Sequence, residues 1–170
     1  GQRRCAPRKD RLYVYHLGVI VIPPFQMKLP DSSGREPDLI FVAQAHLGRL
    51  TRTYLDEPAD LAVELVSPES LKRDREEKFA EYQRGGVSEY WILDPDLQQA
   101  EFYQLEAQGV YQRIALDAQG IYRAQAMPGF WLNVAWLWQN PLPGQDITLY
   151  EIIGKPYADY QREQMRQRGL

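Results

Sequence analysis

The sequence predicts a mixed α/β domain, with a parallel strand–helix–strand unit in its first half and an antiparallel meander in its second. Three observations carry that expectation. Residues 60–95 read as an apolar run (Asp60 to Val66), a turn (Ser67-Pro68-Glu69-Ser70), a helical stretch (Leu71 to Arg84), a glycine pair and a second apolar run (Ser88 to Asp94). Strand, helix and strand joined by links this short form a crossover whose strands are parallel neighbours. After Pro95 the text changes to alternating pieces at 100–105, 110–116 and 121–127, divided by Gly109 and Gly120, as an antiparallel meander requires. Finally, 170 residues with 4 Trp, 11 Tyr and 5 Phe can bury a core in a single domain, residues 1–170, without disulfides or a structural metal.

In chain order, residues 11–22 fit either a helix end running through Gly18 into a strand or one longer strand, and periodicity does not separate the two. Pro23-Pro24 ends that run. In FQMKL, residues 25–29, Phe25, Met27 and Leu29 alternate onto one face of a half-buried strand. Residues 30–34 then turn, which suggests a hairpin leading into Leu39 to Ala43, a nearly all-apolar and therefore central strand. Residues 48–59 are polar and read as a surface loop. Within 60–66, period two places Leu61, Val63 and Leu65 on one face and Asp60, Ala62, Glu64 and Val66 on the other.

Ser70 is the expected N-cap of the helix and Gly85-Gly86 its C-cap, since glycine takes the left-handed conformation without a Cβ penalty. Asp74, Lys78 and Tyr82 stand four apart and share a stripe. The aromatic segment 130–138 reads as a short strand and a turn of helix packed on a sheet. Residues 157–170 form an exposed helix or a frayed tail.

Composition narrows the function. One Cys and two His rule out a disulfide frame or a zinc pattern, and Cys5 reads as a free thiol near a loose terminus. No apolar run reaches the ~18 residues of a membrane span. The basic first ten residues lead into no signal-peptide pattern, so a cytoplasmic protein is expected. A net charge of −3 gives no global basic field. Nucleic-acid contact would rest on local patches, Arg3, Arg4, Arg8, Lys9 and Arg11, or Arg49 and Arg52, and each also reads as solvated surface charge. No motif points to a flavin, nucleotide or haem.

The chemistry concentrates on Glu64. A carboxylate inside an apolar strand is costly unless something pairs with it, and Asp38 stands at the mouth of the preceding apolar strand. If the two converge, their hard oxygens suit Mg²⁺ or Mn²⁺, with the backbone carbonyl of Leu65 as a further ligand. Such a cation polarises a phosphate and lowers the pKa of a bound water. Lys78 would neutralise the charge that develops on phosphorus or orient that water. Asp74 and Tyr82 are supporting candidates, and Asp60, at the strand's beginning, is the more structural one. A plain Glu64–Lys78 ion pair would also explain both residues.

Four ordered segments carry a resemblance: Pro37-Asp38-Leu-Ile-Phe-Val, Asp60-Leu-Ala-Val-Glu64-Leu-Val-Ser67-Pro68, Asp74 with Lys78 and Tyr82, and Gly86-Val-Ser-Glu-Tyr-Trp-Ile-Leu-Asp94-Pro95. Over about residues 18–138 the chain resembles the Uma-type family of restriction-endonuclease-like proteins, abundant in cyanobacteria and assigned to the PD-(D/E)xK nuclease superfamily. The resemblance implies a restriction-endonuclease-like central mixed sheet flanked by helices. It also implies Mg²⁺-dependent hydrolysis of DNA phosphodiesters, with Asp38, Glu64 and Lys78 as the working residues. Two departures stand out. The superfamily lysine falls two positions after the second acid, where this chain has Val66, which shifts the role to Lys78. Related chains also carry a longer front with a helix. The expectation is that this part is shortened here, or that residues 1–17 are its remnant, and that the uncovered sheet would invite a homodimer. The rival expectation keeps the fold as an inactive nucleic-acid-binding or protein-interaction domain.

Overall fold

The first described elements are an antiparallel pair, β1 (Arg11–Val14) against β2 (Gly18–Val21), where the sequence left a choice between one long strand and a helix end. Gly18 sits where β2 comes hard against the next strand of the sheet. A Cβ there would stand 2.2 Å from the Val42 carbonyl oxygen and 2.8 Å from two carbons of the Phe41 ring. Gly18→Ala is therefore expected to lower the unfolding free energy by about 2 kcal/mol, in the range of overpacked cores. An unchanged urea midpoint would show that the strands do not approach this closely.

The computed structural model describes residues 11–14, 17–30, 34–70 and 72–169. Cys5, the basic run Arg3, Arg4, Arg8 and Lys9, and Leu71 at the expected helix start lie outside the described residues. The chain divides into two compact units at Ala115/Leu116.

In the first unit Phe25, Met27 and Leu29 are buried in alternation as expected, but only β3 (Gln26–Met27) is strand. Met27 exchanges two backbone hydrogen bonds with Arg35, at 2.6 and 2.8 Å, and the predicted hairpin ends at that one bridge. β4 (Leu39–Ala43) lies elsewhere, in the main sheet. The lasting partner of β3 is β5 (Tyr54–Leu55), in parallel, supplied by the polar loop. Two residues are too few to show a period, which is why β5 is invisible in the sequence. A 3₁₀ stretch, Gln44–Arg49, connects β4 to that loop.

β6 (Leu61–Leu65), β7 (Glu89–Asp94), β8 (Gln99–Leu105) and β9 (Tyr111–Arg113) complete a seven-stranded sheet in the order β1-β2-β4-β6-β7-β8-β9. β6 and β7 are parallel, as their short crossover demands; all other pairs of this sheet are antiparallel. All six residues of β7 are buried, as a central strand covered on both faces must be. The crossover between β6 and β7 begins as a π-helical segment, Arg73–Lys78, and continues as α1 (Phe79–Gly85). Residues four apart drift by about 40° per step around an α-helix. The wider turns of the π segment run the drift the other way and keep Asp74, Lys78 and Tyr82 facing the sheet. All three are buried.

Ser70 accepts the Asp74 N–H through its carbonyl at 2.9 Å, but its side chain does not cap the helix. Its hydroxyl donates to the Ser67 carbonyl at 3.5 Å and accepts the Ser67 N–H at 3.0 Å, closing the turn instead of the helix. Gly86 takes the C-cap role, with φ 84° and its N–H directed to the Tyr82 and Gln83 carbonyls.

The second unit, Leu116–Leu170, holds β10 (Ile121–Arg123) paired antiparallel with β11 (Trp131–Asn133), a 3₁₀ turn Val134–Trp138, and helices α2 (Gln145–Ile153) and α3 (Lys155–Gln167). The third predicted meander strand therefore leaves the meander. The Asp117 carboxylate accepts the N–H groups of Gln119 and Ile121 at 2.9 and 3.0 Å, and this tight turn delivers β10 to a new partner. The segment expected as exposed helix or tail is helical. No described helix is long and apolar enough to cross a membrane.

Candidate active site

Glu64 is on β6, on the face it shares with Ala62 and, just past the strand, Val66, toward the crossover helix. The strand alternation dictates this, and it leaves the carboxylate 1 % exposed. Its Oε1 accepts the Tyr82 hydroxyl at 2.7 Å, and its Oε2 stands 2.8 Å from the Lys78 ammonium. Lys78 reaches a second acid, Asp74 Oδ1, also at 2.8 Å. That oxygen is buried and has no donor aligned with it. The Tyr90 hydroxyl donates to the Asp74 carbonyl at 3.0 Å and ties the π segment to β7.

Asp38 lies one residue before β4. β4 and β6 pair Leu39 with Val63, so the next step of the register sets Asp38 opposite Glu64. Asp38 is exposed, and its Oδ2 accepts the Leu65 N–H at 2.8 Å. The site thus has a wet mouth at Asp38 and a dry floor at Glu64. Burial pushes the Glu64 carboxyl up to about 7, against the lowering by Lys78 and Tyr82, and the negative charge of Asp38 adds to the rise. Burial, followed by the Glu64 charge, raises the Tyr82 phenol too, so it remains a donor at any working pH.

Of the residues singled out from sequence, Glu64, Lys78, Asp74 and Tyr82 meet in one cluster, with Asp38 at its rim. Asp60 is not among them. It stands four residues down β6, about 13 Å away at the strand rise. Its carboxylate accepts the Ala43 N–H at 2.7 Å and lies 2.7 Å from His46 Nδ1, bracing the 3₁₀ stretch. A shared face does not mean a shared site when the two residues are two pleats apart.

Sequence reasoning missed Glu101 on β8, which holds Arg75 at 2.7 Å and accepts the Tyr103 hydroxyl at 2.7 Å. The alternation of 100–105 already put Glu101 and Tyr103 on one face; what it lacked was the identity of the residue above them. Buried Glu89, which accepts the Trp91 indole N–H at 2.7 Å, was likewise not singled out.

Among the described residues no three His, Cys, Asp or Glu side chains are grouped to hold a metal ion by themselves. The donor set still fits Mg²⁺ or Mn²⁺, because Mg²⁺ is commonly held by one or two carboxylates with waters completing its shell. Oε1 of Glu64 meets the Tyr82 hydroxyl and Oε2 the Lys78 ammonium, which leaves a lone pair on each for a cation, and Asp38 faces solvent where waters would sit.

A family model described as "Uma2: Putative restriction endonuclease" matches residues 9–135. The chain belongs to the Uma2 family. Its fold is that of a solved structure described as "a putative nuclease belonging to DUF820 from Anabaena variabilis ATCC 29413": TM-score 0.56, 15 % identity, 72 % of this chain and 69 % of that one covered. No curated protein matches. The Uma2 chain accordingly has the restriction-endonuclease-like fold, a mostly antiparallel central sheet with the crossover helix against it.

Proposed function

We propose that this Uma2 chain is a metal-dependent endonuclease that hydrolyses DNA phosphodiester bonds at Asp38, Glu64 and Lys78. One observation carries the reading: a lysine from the crossover helix is driven into the sheet to meet a fully buried glutamate, in register with an exposed aspartate at the mouth of the neighbouring strand. Asp38 and Glu64, with the Leu65 carbonyl, would hold Mg²⁺ or Mn²⁺. The cation supplies Lewis acidity to the phosphate and a water of lowered pKa. The Lys78 ammonium, aimed by Glu64 and Asp74, balances the charge that grows on the phosphate oxygens as the bond to the leaving oxygen breaks. Tyr82 holds the Glu64 carboxylate in one orientation. Asp74 holds Lys78.

Plasmid nicking in Mg²⁺ or Mn²⁺ tests this. Asp38→Ala is expected to reduce the rate at least ~100-fold, the scale of losing one electrostatic contributor to a transition state. Because Asp38 is exposed, the thermal melt should barely move. Nicking that survives Asp38→Ala would remove the reading.

A second reading has its own observation in favour. Lys78 is already engaged by two carboxylates, so the cluster is complete as a structural ion triad. The protein would then be an inactive nucleic-acid-binding or interaction domain. Calorimetry with Mn²⁺ separates the two, because only the enzyme predicts a binding heat that Asp38→Ala abolishes.

A further inference from the structure

We propose that Arg75, with Arg113 beside it, is the seat for a backbone phosphate next to the one cleaved at Asp38 and Glu64. This rests on the nuclease reading and adds to it the residues that hold the strand in place.

The sheet register locates the seat. Glu64 on β6 pairs with Ile92 on β7, and Ile92 pairs with Glu101 on β8, so Glu64 and Glu101 stand in one row on one face, two strands apart. Two strand spacings are about 10 Å, a distance within one or two nucleotides of a strand lying across the row. The helical segment covers both places at once. Lys78 drops onto Glu64 and Arg75, one turn earlier, drops onto Glu101.

The charges differ as the two tasks would require. Asp38, Glu64 and Asp74 against Lys78 leave the first place negative, which attracts a cation and repels DNA. Arg75 and Arg113 against Glu101 leave the second place positive: Arg113 Nη2 lies 4.0 Å from Glu101 Oε2 and its side chain is 65 % exposed. An anionic strand approaching the acidic hollow needs such a counterweight nearby.

The geometry of Arg75 also differs from that of a brace. Arg35, beside β3, grips Glu81 of the same helix with both Nε and Nη2, the two-armed arrangement that uses the guanidinium fork in full. Arg75 meets Glu101 through Nη2 and not through Nε. The other Glu101 oxygen is taken by the Tyr103 hydroxyl, and Arg75 Nε is buried with no acceptor among the described residues. A buried donor left this way is destabilising, and the fork is not used in full by the protein itself. A phosphate oxygen can reach the outer part of the guanidinium, because the Arg75 side chain is still 31 % exposed. Tyr103 fixes the Glu101 carboxylate, and Glu101 fixes the arginine, so little side-chain freedom is lost when the anion arrives.

The test is the salt dependence of binding to a fluorescein-labelled duplex, by anisotropy, with Ca²⁺ replacing Mg²⁺ to hold turnover back. Each phosphate contact contributes about −0.9 to the slope of log K against log salt. Arg75→Gln and Arg113→Gln are each expected to make the slope shallower by about that amount and to weaken binding several-fold. A role confined to bracing the helix would lower the melting temperature of Arg75→Gln and leave both slopes at the wild-type value; that result overturns the proposal. If Arg75→Gln does not fold, Arg113→Gln decides alone, since its side chain is mostly in solvent. Should the wild type bind no DNA and show no nicking that Asp38→Ala removes, the nuclease reading fails and this one with it. Nicking that depends on Asp38 together with unchanged slopes would sink only the phosphate seat.

Discussion

Lys78→Met is expected to cost about 3–5 kcal/mol of stability at pH 8, the usual consequence of removing one partner from a buried ion pair. The methionine matches the lysine stem in length, so packing is largely kept and the loss is electrostatic. Glu64 and Asp74 would each lose the ammonium 2.8 Å away, and both are at most 2 % exposed in their side chains. The cost has a pH signature. At pH 5 Glu64 carries its proton with or without Lys78, since burial holds its carboxyl near 7, so the deficit should be smaller there. Urea unfolding at the two pH values measures it, and an equal loss at both would show that Lys78 does not sustain the ionised glutamate. Plasmid nicking should disappear in the same variant.

Glu64→Gln should reverse part of the pH dependence of the wild type. The folded-state pKa of Glu64 is raised from 4.5 to about 7. The folded protein therefore binds this proton more tightly than the unfolded chain. The group's stabilising contribution is complete below about 4.5 and is lost as pH climbs through 7. That interval, at 1.36 kcal/mol per pH unit, amounts to about 3 kcal/mol. Glutamine has no proton to lose, so relative to wild type the variant should gain about 3 kcal/mol between pH 4.5 and 8, on top of any constant offset. A difference between the two proteins that stays flat across this range would mean that Glu64 is ionised throughout. The same linkage governs the proposed cation. Below pH 7 metal binding must displace the Glu64 proton, so Mn²⁺ affinity should rise roughly tenfold per pH unit and level off above 7. Calorimetry in buffers of different ionisation enthalpy reads that proton directly, and Glu64→Gln should show neither the proton nor the binding.

Both experiments turn on residues that the linear text already places on one face. The run around Glu64 alternates, and that alone points the carboxylate to the same side as Ala62 and Val66. Asp74, Lys78 and Tyr82 recur at intervals of four, and only the sheet-facing side of a helix can collect them. The π-helical form of that segment was not legible, because it depends on how far three polar side chains must swing to reach a sheet they do not adjoin in sequence. Asp60 shows the opposite case. Its face was readable, but its partner was not: His46 approaches through a 3₁₀ stretch whose position is set by the β2–β4 contact.

The amino-acid sequence on its own determined the parallel crossover, the inward face of Glu64, the helical stripe and the resemblance that the family match bears out. Each of these is written in residues a few positions apart, where strand and helix periods and turn chemistry act directly. Only the tertiary structure decided that β3 pairs with β5, that β10 leaves the meander for β11, and that Arg75 stands over Glu101 with one donor to spare. Those outcomes depend on which segment lies across a strand edge or above a sheet row. Such neighbours are chosen by the packing of the whole core, and no local period records them.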